Sequence, residues 1–190
     1  MPLSPKQFNR CNVSKTLILF STVHGQTRKI CERMAEVIRK QGDDVTLVPL
    51  CEAPPLSHYD KVVLGASIRH GKHNSAVYGY IEKNLEALKS KAGAFFSVSL
   101  VARKPAKNTA ATNPYMQDFL GKSPWRPELL EVFGGNLDYR GYSAMDRNII
   151  RFIMWLTKGP TDPETKVEYT DWRKVDSFAR EVATMEKLCP

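Results

Sequence analysis

Hydroxyl side chains, a glycine and a helix start follow the first buried apolar run of the chain. The run occupies residues 16–20, and the loop behind it passes straight into a helical pattern of apolar residues. Backbone N–H groups and the dipole at a helix N-terminus favour a bound phosphate. A single Ser or Thr would be enough to cap this helix, whereas three of them with a Gly and a Gln in seven residues favour phosphate binding. The predicted phosphate-binding loop contains Ser21, Thr22, His24, Gly25, Gln26 and Thr27.

A second loop, after the third apolar run, is suited to a flat ring. Small side chains in residues 65–71 would let a ring approach the backbone closely. Arg69 could offset negative charge on the ring or on an anionic substrate, or could be a solvated loop cation. His70 and His73 have the spacing of a metal-binding pair, but no third ligand follows nearby, so no metal site is predicted. The ring-binding residues predicted here are Ala66, Ser67, Ile68 and Arg69.

Two further loops complete the predicted site. Ser99 and Leu100 follow the fourth apolar run, and Gly134, Leu137 and Tyr139 lie at the end of the fifth or beyond it. Tyr139 could stack on a flat ligand, although an aromatic side chain in a loop more often packs against the protein. No side chain has the character of an obligatory acid or base. The candidates for a direct catalytic role are Arg69 and Arg103.

Alternating strand and helix patterns place these loops at one edge of a sheet. Continuous apolar runs of strand length are typical of strands covered on both faces. Five of them alternate with helical patterns and predict an α/β protein with one doubly wound parallel sheet. Ligands of such sheets bind beyond the carboxyl ends of the strands, where the loops described above would meet. The five runs are residues 16–20, 45–48, 61–65, 94–98 and 129–133.

The 190 residues are enough for one domain, predicted over residues 15–188. Residues 1–14 are expected to be a tail, either disordered or a targeting segment. Residues 137–169 are predicted to be an insert, because a few residues would suffice to join the fifth strand to the last helix. The insert contains an apolar stretch at residues 149–156 with basic residues around it. Such a segment suits a helix on a membrane surface, a cover over the sheet edge or a dimer contact.

The charge and composition limit the classes of partner. The formal charge is +8 and the pI about 9.4, which suits nucleic acid, an anionic substrate or an anionic lipid surface. No Lys/Arg block with interleaved aromatics occurs, so nucleic acid is not predicted. No apolar run approaches the ~18–20 residues that span a bilayer. The four cysteines form no C-x-x-C pair and predict free thiols in a reducing compartment.

Several strings of the sequence resemble one family of flavin enzymes. Thr22, Gly25 and Thr27 match the flavodoxin phosphate-binding pattern T-x-T-G-N-T, whereas His24 and Gln26 depart from it. More specific strings, Leu-Val-Ala-Arg-Lys-Pro and Trp-Arg-Pro, resemble the bacterial quinone-dependent protoporphyrinogen IX dehydrogenases. The similarity extends over about residues 15–183. Its matching strings are residues 17–22, 25–28, 65–69, 100–105, 125–127, 169–172 and 178–181.

This resemblance implies a flavodoxin-like five-stranded sheet in the order 2-1-3-4-5 and one FMN per chain. It also implies an enzyme of haem biosynthesis that oxidises protoporphyrinogen IX to protoporphyrin IX and reduces menaquinone or ubiquinone. The expected location is the cytoplasm, in peripheral contact with the inner membrane, or the mitochondrion if residues 1–14 are a targeting segment. A homo-oligomer is compatible with the family.

Three other functions remain open on the same fold. The first is a flavodoxin-type electron carrier, against which the charge of +8 argues, because such carriers usually present an acidic surface. The second is an NAD(P)H:quinone oxidoreductase, which nicotinamide would reduce rapidly. The third is a scaffold without flavin, which would be colourless.

Overall fold

The computed structural model describes residues 13–141, 143–156 and 159–186. Most of the predicted tail, residues 1–12, lies outside the described residues, as do Cys11 and Cys189; Cys31 and Cys51 are free thiols. The described residues form eight strands: β1 (Lys15–Ser21), β2 (Asp44–Pro49), β3 (Lys61–Arg69), β4 (Lys72–His73), β5 (Ala92–Ser99), β6 (Leu129–Gly134), β7 (Asn136–Asp138) and β8 (Lys166–Glu168). The helices are α1 (Gln26–Lys40), α2 (Ser75–Lys83), α3 (Leu85–Lys89), α4 (Pro114–Lys122), α5 (Ala144–Leu156) and α6 (Trp172–Thr184).

Five parallel strands form the central sheet in the order β2-β1-β3-β5-β6. Counted among the parallel strands alone, this is the predicted order 2-1-3-4-5. The order reverses between β1 and β3, so the loops after these two strands lie side by side at the carboxyl edge. The fold therefore brings the predicted phosphate loop next to the predicted ring-binding segment.

Helices cover both faces of the sheet, which explains the uninterrupted apolar runs in the strands. Alternate residues of β1 enter different cores: Ile18 packs with α1 and α6, whereas Leu17 and Leu19 pack with the helices of the other face. At Gly65 the sheet approaches an aromatic ring so closely that an added Cβ would lie 2.3 Å from Phe96. The Phe96 ring consequently fills this face of β3 just before the strand reaches the site.

The third strand is longer than the sequence pattern predicts. Residues 65–71 were expected to be a loop, but β3 continues to Arg69, where it pairs antiparallel with β4. His70 (φ 48°) and Gly71 (φ 79°) make the turn between the two strands. Ala66, Ser67, Ile68 and Arg69 are therefore strand residues. Ala66 and Ser67 pair with β5 in the central sheet, whereas Ile68 and Arg69 pair with β4 in the hairpin.

The predicted insert folds around a second, separate pair of strands. β7 pairs antiparallel with β8, and α5 lies between them in the chain. A small apolar cluster of Leu137, Tyr139 and Met154 joins α5 to this ribbon. The ribbon thus closes the insert at its base, and α5 is the part of the insert that reaches the site.

Candidate functional site

The phosphate-binding loop is held in shape by its own side chains and by the far end of the chain. Gly25 is left-handed (φ 82°) at the start of α1, and its N–H donates to Thr22 Oγ1 at 3.1 Å. Gln26 Nε2 donates to Thr170 Oγ1 at 2.9 Å, and that hydroxyl donates to the carbonyl of Gly134 at 2.7 Å. The Gln26 side chain therefore ties the loop to the end of β6, which accounts for its departure from the flavodoxin pattern.

Two buried hydroxyl groups at this edge of the sheet have no hydrogen-bond partner among the residues that the structure describes. They are Thr27 Oγ1 in the first turn of α1 and Ser99 Oγ at the end of β5. An unpaired buried hydroxyl costs about 1–3 kcal/mol, so it requires an explanation. Both residues line the same pocket. Their unpaired oxygens indicate a polar ligand there, and they fit the phosphate and ring edges of a flavin nucleotide.

The pocket lies between β3, β5, the phosphate-binding loop and α5. Its empty space, counted out to the open mouth, is about 920 Å³. Nine residues predicted from the sequence line it together: Thr22, His24, Gln26, Thr27, Ser67, Ile68, Arg69, Ser99 and Leu100. These residues come from three segments that lie far apart in the sequence.

The remaining predicted site residues lie behind the pocket wall. Ser21 and Ala66 are paired neighbours in the sheet, directly before the lining residues. Gly134 packs under Tyr169, where an added Cβ would meet the Tyr169 carbonyl oxygen at 2.2 Å. Gly25 shapes the phosphate-binding loop without lining the pocket. These positions would support a ligand through the backbone rather than through their side chains.

Three predicted site residues, in the insert or close to it, do not line the pocket. Tyr139 is fully buried with Leu137 and Met154, and its hydroxyl donates to the carbonyl of Pro160 at 2.8 Å. Its ring is therefore not available to stack on a ligand; Leu137, likewise fully buried, does not line the pocket. Arg103 donates to the carbonyl of Leu100 at 2.9 Å, and its guanidinium lies 6.0 Å from the centre of the Tyr169 ring.

Residues that the sequence pattern missed close the pocket from two sides. Tyr115 of α4 supplies a phenol ring to the lining, and Ile149, Ile150 and Ile153 of α5 supply an apolar wall. Isoleucines three and four positions apart share one face of a helix. That spacing was visible in the sequence, but nothing in it indicated which surface the helix would face.

A carboxylate at the start of α5 connects this helix to the β3–β4 hairpin. Asp146 accepts a hydrogen bond from Arg69 Nη2 at 2.9 Å, from His70 Nε2 at 2.8 Å and from Ser143 Oγ at 2.9 Å. The hydrogen bonds from His70 and Ser143, with the charge of Arg69, hold the Asp146 pKa below its usual value. The sequence signal was Ser143-x-x-Asp146 before an apolar run, a helix-capping pattern.

His24 stands in the phosphate-binding loop at the pocket wall. Burial and the nearby charge of Arg69 lower its pKa, although the charge of Asp146 opposes them. A neutral imidazole is therefore favoured at neutral pH. In that form the ring can both donate and accept a hydrogen bond, so it can replace the hydroxyl of the usual flavodoxin pattern.

His73 and His70 face different surroundings and do not form a metal pair. His73 is buried, with its Nε2 2.9 Å from Ser97 Oγ and its ring packed edge-on against Phe95 and Phe119. Burial lowers its pKa to about 4. Within the described residues, no group of three or more His, Cys, Asp or Glu side chains could hold a metal ion.

The buried His73 predicts a loss of stability in mild acid. Its pKa falls from 6.5 to about 4 on folding. As the pH drops, the unfolded chain therefore binds a proton at His73 before the folded chain does. Stability should fall as the pH drops from about 6.5 to about 4, by about 3 kcal/mol in total. The free energy of unfolding of His73→Gln should change less over this window. Parallel pH curves for both proteins would contradict the role assigned to His73.

Comparisons with known proteins agree with this fold. The family model for the flavodoxin domain matches residues 17–164. An archaeal flavodoxin shares the fold with a TM-score of 0.52 and 12% identity, covering 89% of this chain and 96% of that one. The order of the parallel strands and the pocket at their carboxyl edge thus define a flavodoxin-type domain. A flavin is the cofactor that this domain supports.

Two relatives place the chain more closely. "Protoporphyrinogen IX dehydrogenase [quinone]" of Escherichia coli (strain K12) is 47% identical over 171 residues, 89% of this chain and 94% of the relative. The protein of the same name from Leishmania major is 40% identical over 179 residues, 93% of this chain and 78% of the relative. The chain therefore belongs to the flavodoxin domain family and, within it, to the family of these two relatives. The resemblance predicted from the sequence is confirmed.

Proposed function

We propose that the chain is an FMN-dependent enzyme of haem biosynthesis that oxidises protoporphyrinogen IX to protoporphyrin IX and reduces a quinone. The observation that carries the proposal is the 47% identity to a relative of that name over 89% of the chain. The pocket supports it independently, because two unpaired buried hydroxyls and a helix N-terminus meet there.

The residues that would hold FMN follow from the pocket. Thr22, Thr27 and the N–H groups at the start of α1 would bind the phosphate. Ser67, Ile68 and Ser99 would lie against the ring, and Arg69 would offset negative charge on the ring or on a substrate carboxylate. When bound, FMN supplies the transfer of two electrons at a time between donor and acceptor. The apolar wall of α5 would exclude water from the pocket.

The balance of the reaction defines its test. Each porphyrinogen loses six electrons and six protons, so three quinones become three quinols for each porphyrin formed. Purified FMN-loaded protein should show this ratio with no partner protein present. A requirement for a partner would instead indicate an electron carrier. Rapid reduction by NADH or NADPH with no reaction of porphyrinogen would indicate an NAD(P)H:quinone oxidoreductase.

We further propose that α5 brings the enzyme to the membrane that holds the quinone, menaquinone or ubiquinone. Its solvent side exposes large apolar residues, with Phe152 58% and Trp155 67% exposed, and the two rings are stacked on one another. Arg147 and Arg151 lie on the same helix and suit anionic headgroups. In the part of the chain that the structure describes, no helix is long and apolar enough to cross a bilayer.

Binding to lipid vesicles tests this surface. The protein should bind vesicles that contain anionic lipid, and the emission of Trp155 should shift to shorter wavelength. Phe152→Ser with Trp155→Ser should weaken binding by tenfold or more, since burying an aromatic side chain contributes about 1.5–3 kcal/mol. Val13→Ser, which changes an exposed apolar residue elsewhere (56% exposed), is the control. Equal binding of all three proteins would contradict the membrane role of α5.

A further inference from the structure

The Asp146 carboxylate joins the two sides of the flavin pocket. Arg69 and His70 come from the β3–β4 hairpin, whereas Asp146 comes from the first turn of α5. The Arg69 and His70 side chains are about half exposed, at 47% and 45%, while the Asp146 side chain is only 6% exposed. An inward-facing carboxylate of the protein itself therefore occupies the space between two basic groups that stand at the pocket wall.

Helix α5 buries one residue near each of its ends in the part of the chain that the structure describes. Asp146 and Met154 are its buried residues, one in the first turn and one in the last. Ile149, Ile153 and Leu156 are 38%, 43% and 60% exposed. Elements with few buried apolar contacts open at low free-energy cost, and lids over active sites are drawn from such elements. The bonds of Asp146 hold the first turn of α5 to the hairpin, whereas Met154 packs its last turn against Leu137 and Tyr139.

Helix α5 covers the place where flavin and substrate would have to meet. Its isoleucines line the pocket together with Thr27 and Ser99, so FMN bound there would lie against α5. A tetrapyrrole that reacts at the flavin ring needs additional room beside it, and α5 is the wall that Asp146 holds to the β3–β4 hairpin. Its movement requires the bonds from Arg69 and His70 to Asp146 to break.

Resting on the function proposed above, we infer that Asp146 is a latch that a substrate carboxylate replaces. With α5 closed, Asp146 occupies Arg69 and His70. With α5 open, the same two groups bind a carboxylate of the substrate, and the charge balance at the pocket wall is restored. Asp146 is a positioning residue in this scheme, since it touches neither the flavin nor the reacting carbon atoms.

This exchange makes the pocket selective for acidic substrates. A ligand shifts a conformational equilibrium only by its difference in affinity for the two states. A carboxylate gains Arg69 and His70 only after Asp146 has left, so it favours the open state. An esterified substrate gains neither group and must open α5 without compensation. The apparent affinity of a carboxylate ligand is also reduced by the small population of the open state.

Asp146→Asn tests the latch because it keeps the shape of the side chain and removes its charge. The probe is protoporphyrin IX, compared with its dimethyl ester, and binding is measured by fluorescence on the oxidised FMN-loaded protein without quinone. Glu164→Gln removes a charge from the same insert, where Glu164 pairs with Arg140, and is the matched control. Ser143→Ala weakens the cap of α5 but leaves Asp146 charged.

Asp146→Asn should bind the diacid about tenfold more tightly than the wild type, since it removes the competing carboxylate and unlatches α5. Both control variants should bind both ligands like the wild type. The dimethyl ester should also bind more tightly to Asp146→Asn, because it too needs α5 to open, whereas the wild type should prefer the diacid. Amide hydrogen exchange over residues 144–156 should accelerate in Asp146→Asn, and in the wild type when the diacid is added. Thermal unfolding of each variant shows whether the domain remains folded.

Two results would overturn the latch. One is diacid affinity in a folded Asp146→Asn protein that is equal to or weaker than that of the wild type. The other is exchange in α5 that responds neither to the substitution nor to the diacid. Normal diacid binding with either result would leave the proposed function intact. Failure of the wild type to bind the diacid at all would contradict the proposed substrate and the latch together.

Discussion

The FMN dissociation constant should rise by at least about a hundredfold when Thr22 is replaced by Ala and Thr27 by Val. Both hydroxyls lie at the proposed phosphate site, and a hydrogen bond to a charged group contributes about 1.5–3 kcal/mol. Each 1.4 kcal/mol changes the dissociation constant tenfold, so the loss of two such bonds accounts for the hundredfold increase. The measurement is a titration of the apoprotein with FMN, followed by the quenching of flavin fluorescence.

The stability of the apoprotein separates this effect from general damage. Thr27 Oγ1 has no hydrogen-bond partner in the described part of the chain, so Thr27→Val alone should leave the apoprotein equally stable or slightly more stable. Tyr80→Phe is the matched control, because the Tyr80 hydroxyl is likewise buried with no partner among the described residues but does not line the pocket. It should bind FMN normally. Unchanged affinity in the double variant would contradict the assignment of the phosphate site.

The second large effect is expected at the opposite edge of the sheet. Lys61 is 4% exposed, and its Nζ donates to Asp43 Oδ2 at 3.0 Å and to the carbonyl of Ala183 at 2.6 Å. Lys61→Met leaves the Asp43 carboxylate almost buried, with Thr16 as its remaining hydrogen-bond donor in the described structure. Breaking a buried pair in this way costs about 3–5 kcal/mol. At roughly 2–4 °C for each kcal/mol, the midpoint of thermal unfolding should fall by about 6–20 °C.

A second lysine provides the comparison for this variant. Lys166 pairs with Asp138 at 3.4 Å, but its side chain is 73% exposed. Exposed ion pairs contribute at most about 1 kcal/mol, so Lys166→Met should unfold close to the wild-type midpoint. Both variants should retain the FMN affinity of the wild type, since neither residue lines the pocket. A similar midpoint for both variants would contradict the role of Lys61 in joining the sheet to the end of α6.

The parallel sheet was predictable because burial on both faces leaves a simple pattern. Each of its five strands contains an apolar run, and helical spacing between the runs predicts the crossovers. The end of β3 was not predictable in the same way, because Ser67 and Arg69 are polar and their strand conformation depends on pairing with β4. The β7–β8 ribbon is less visible still. Its partners, such as Asn136 and Glu168, lie 32 residues apart, and each strand has only three residues.

The sequence predicted the site residues whose local chemistry identifies a ligand. It missed the residues that only the packing of distant segments brings to the pocket. The loop from Thr22 to Thr27 combines hydroxyls, a glycine and a helix start, which together indicate a phosphate. Asp146 has no such signature, since a helix-capping carboxylate is common and only the fold brings it to Arg69. Tyr139 shows the reverse error. An aromatic residue after a strand suits ring stacking, but the insert folds back and buries it.

An anaerobic titration of the FMN-loaded protein with protoporphyrinogen IX, followed by a soluble quinone, tests the central claim most directly. Flavin absorbance should be lost on the first addition. It should return with the quinone, as porphyrin fluorescence develops in proportion to three electron pairs per porphyrin. Flavin that stays oxidised under excess porphyrinogen would contradict the proposed substrate.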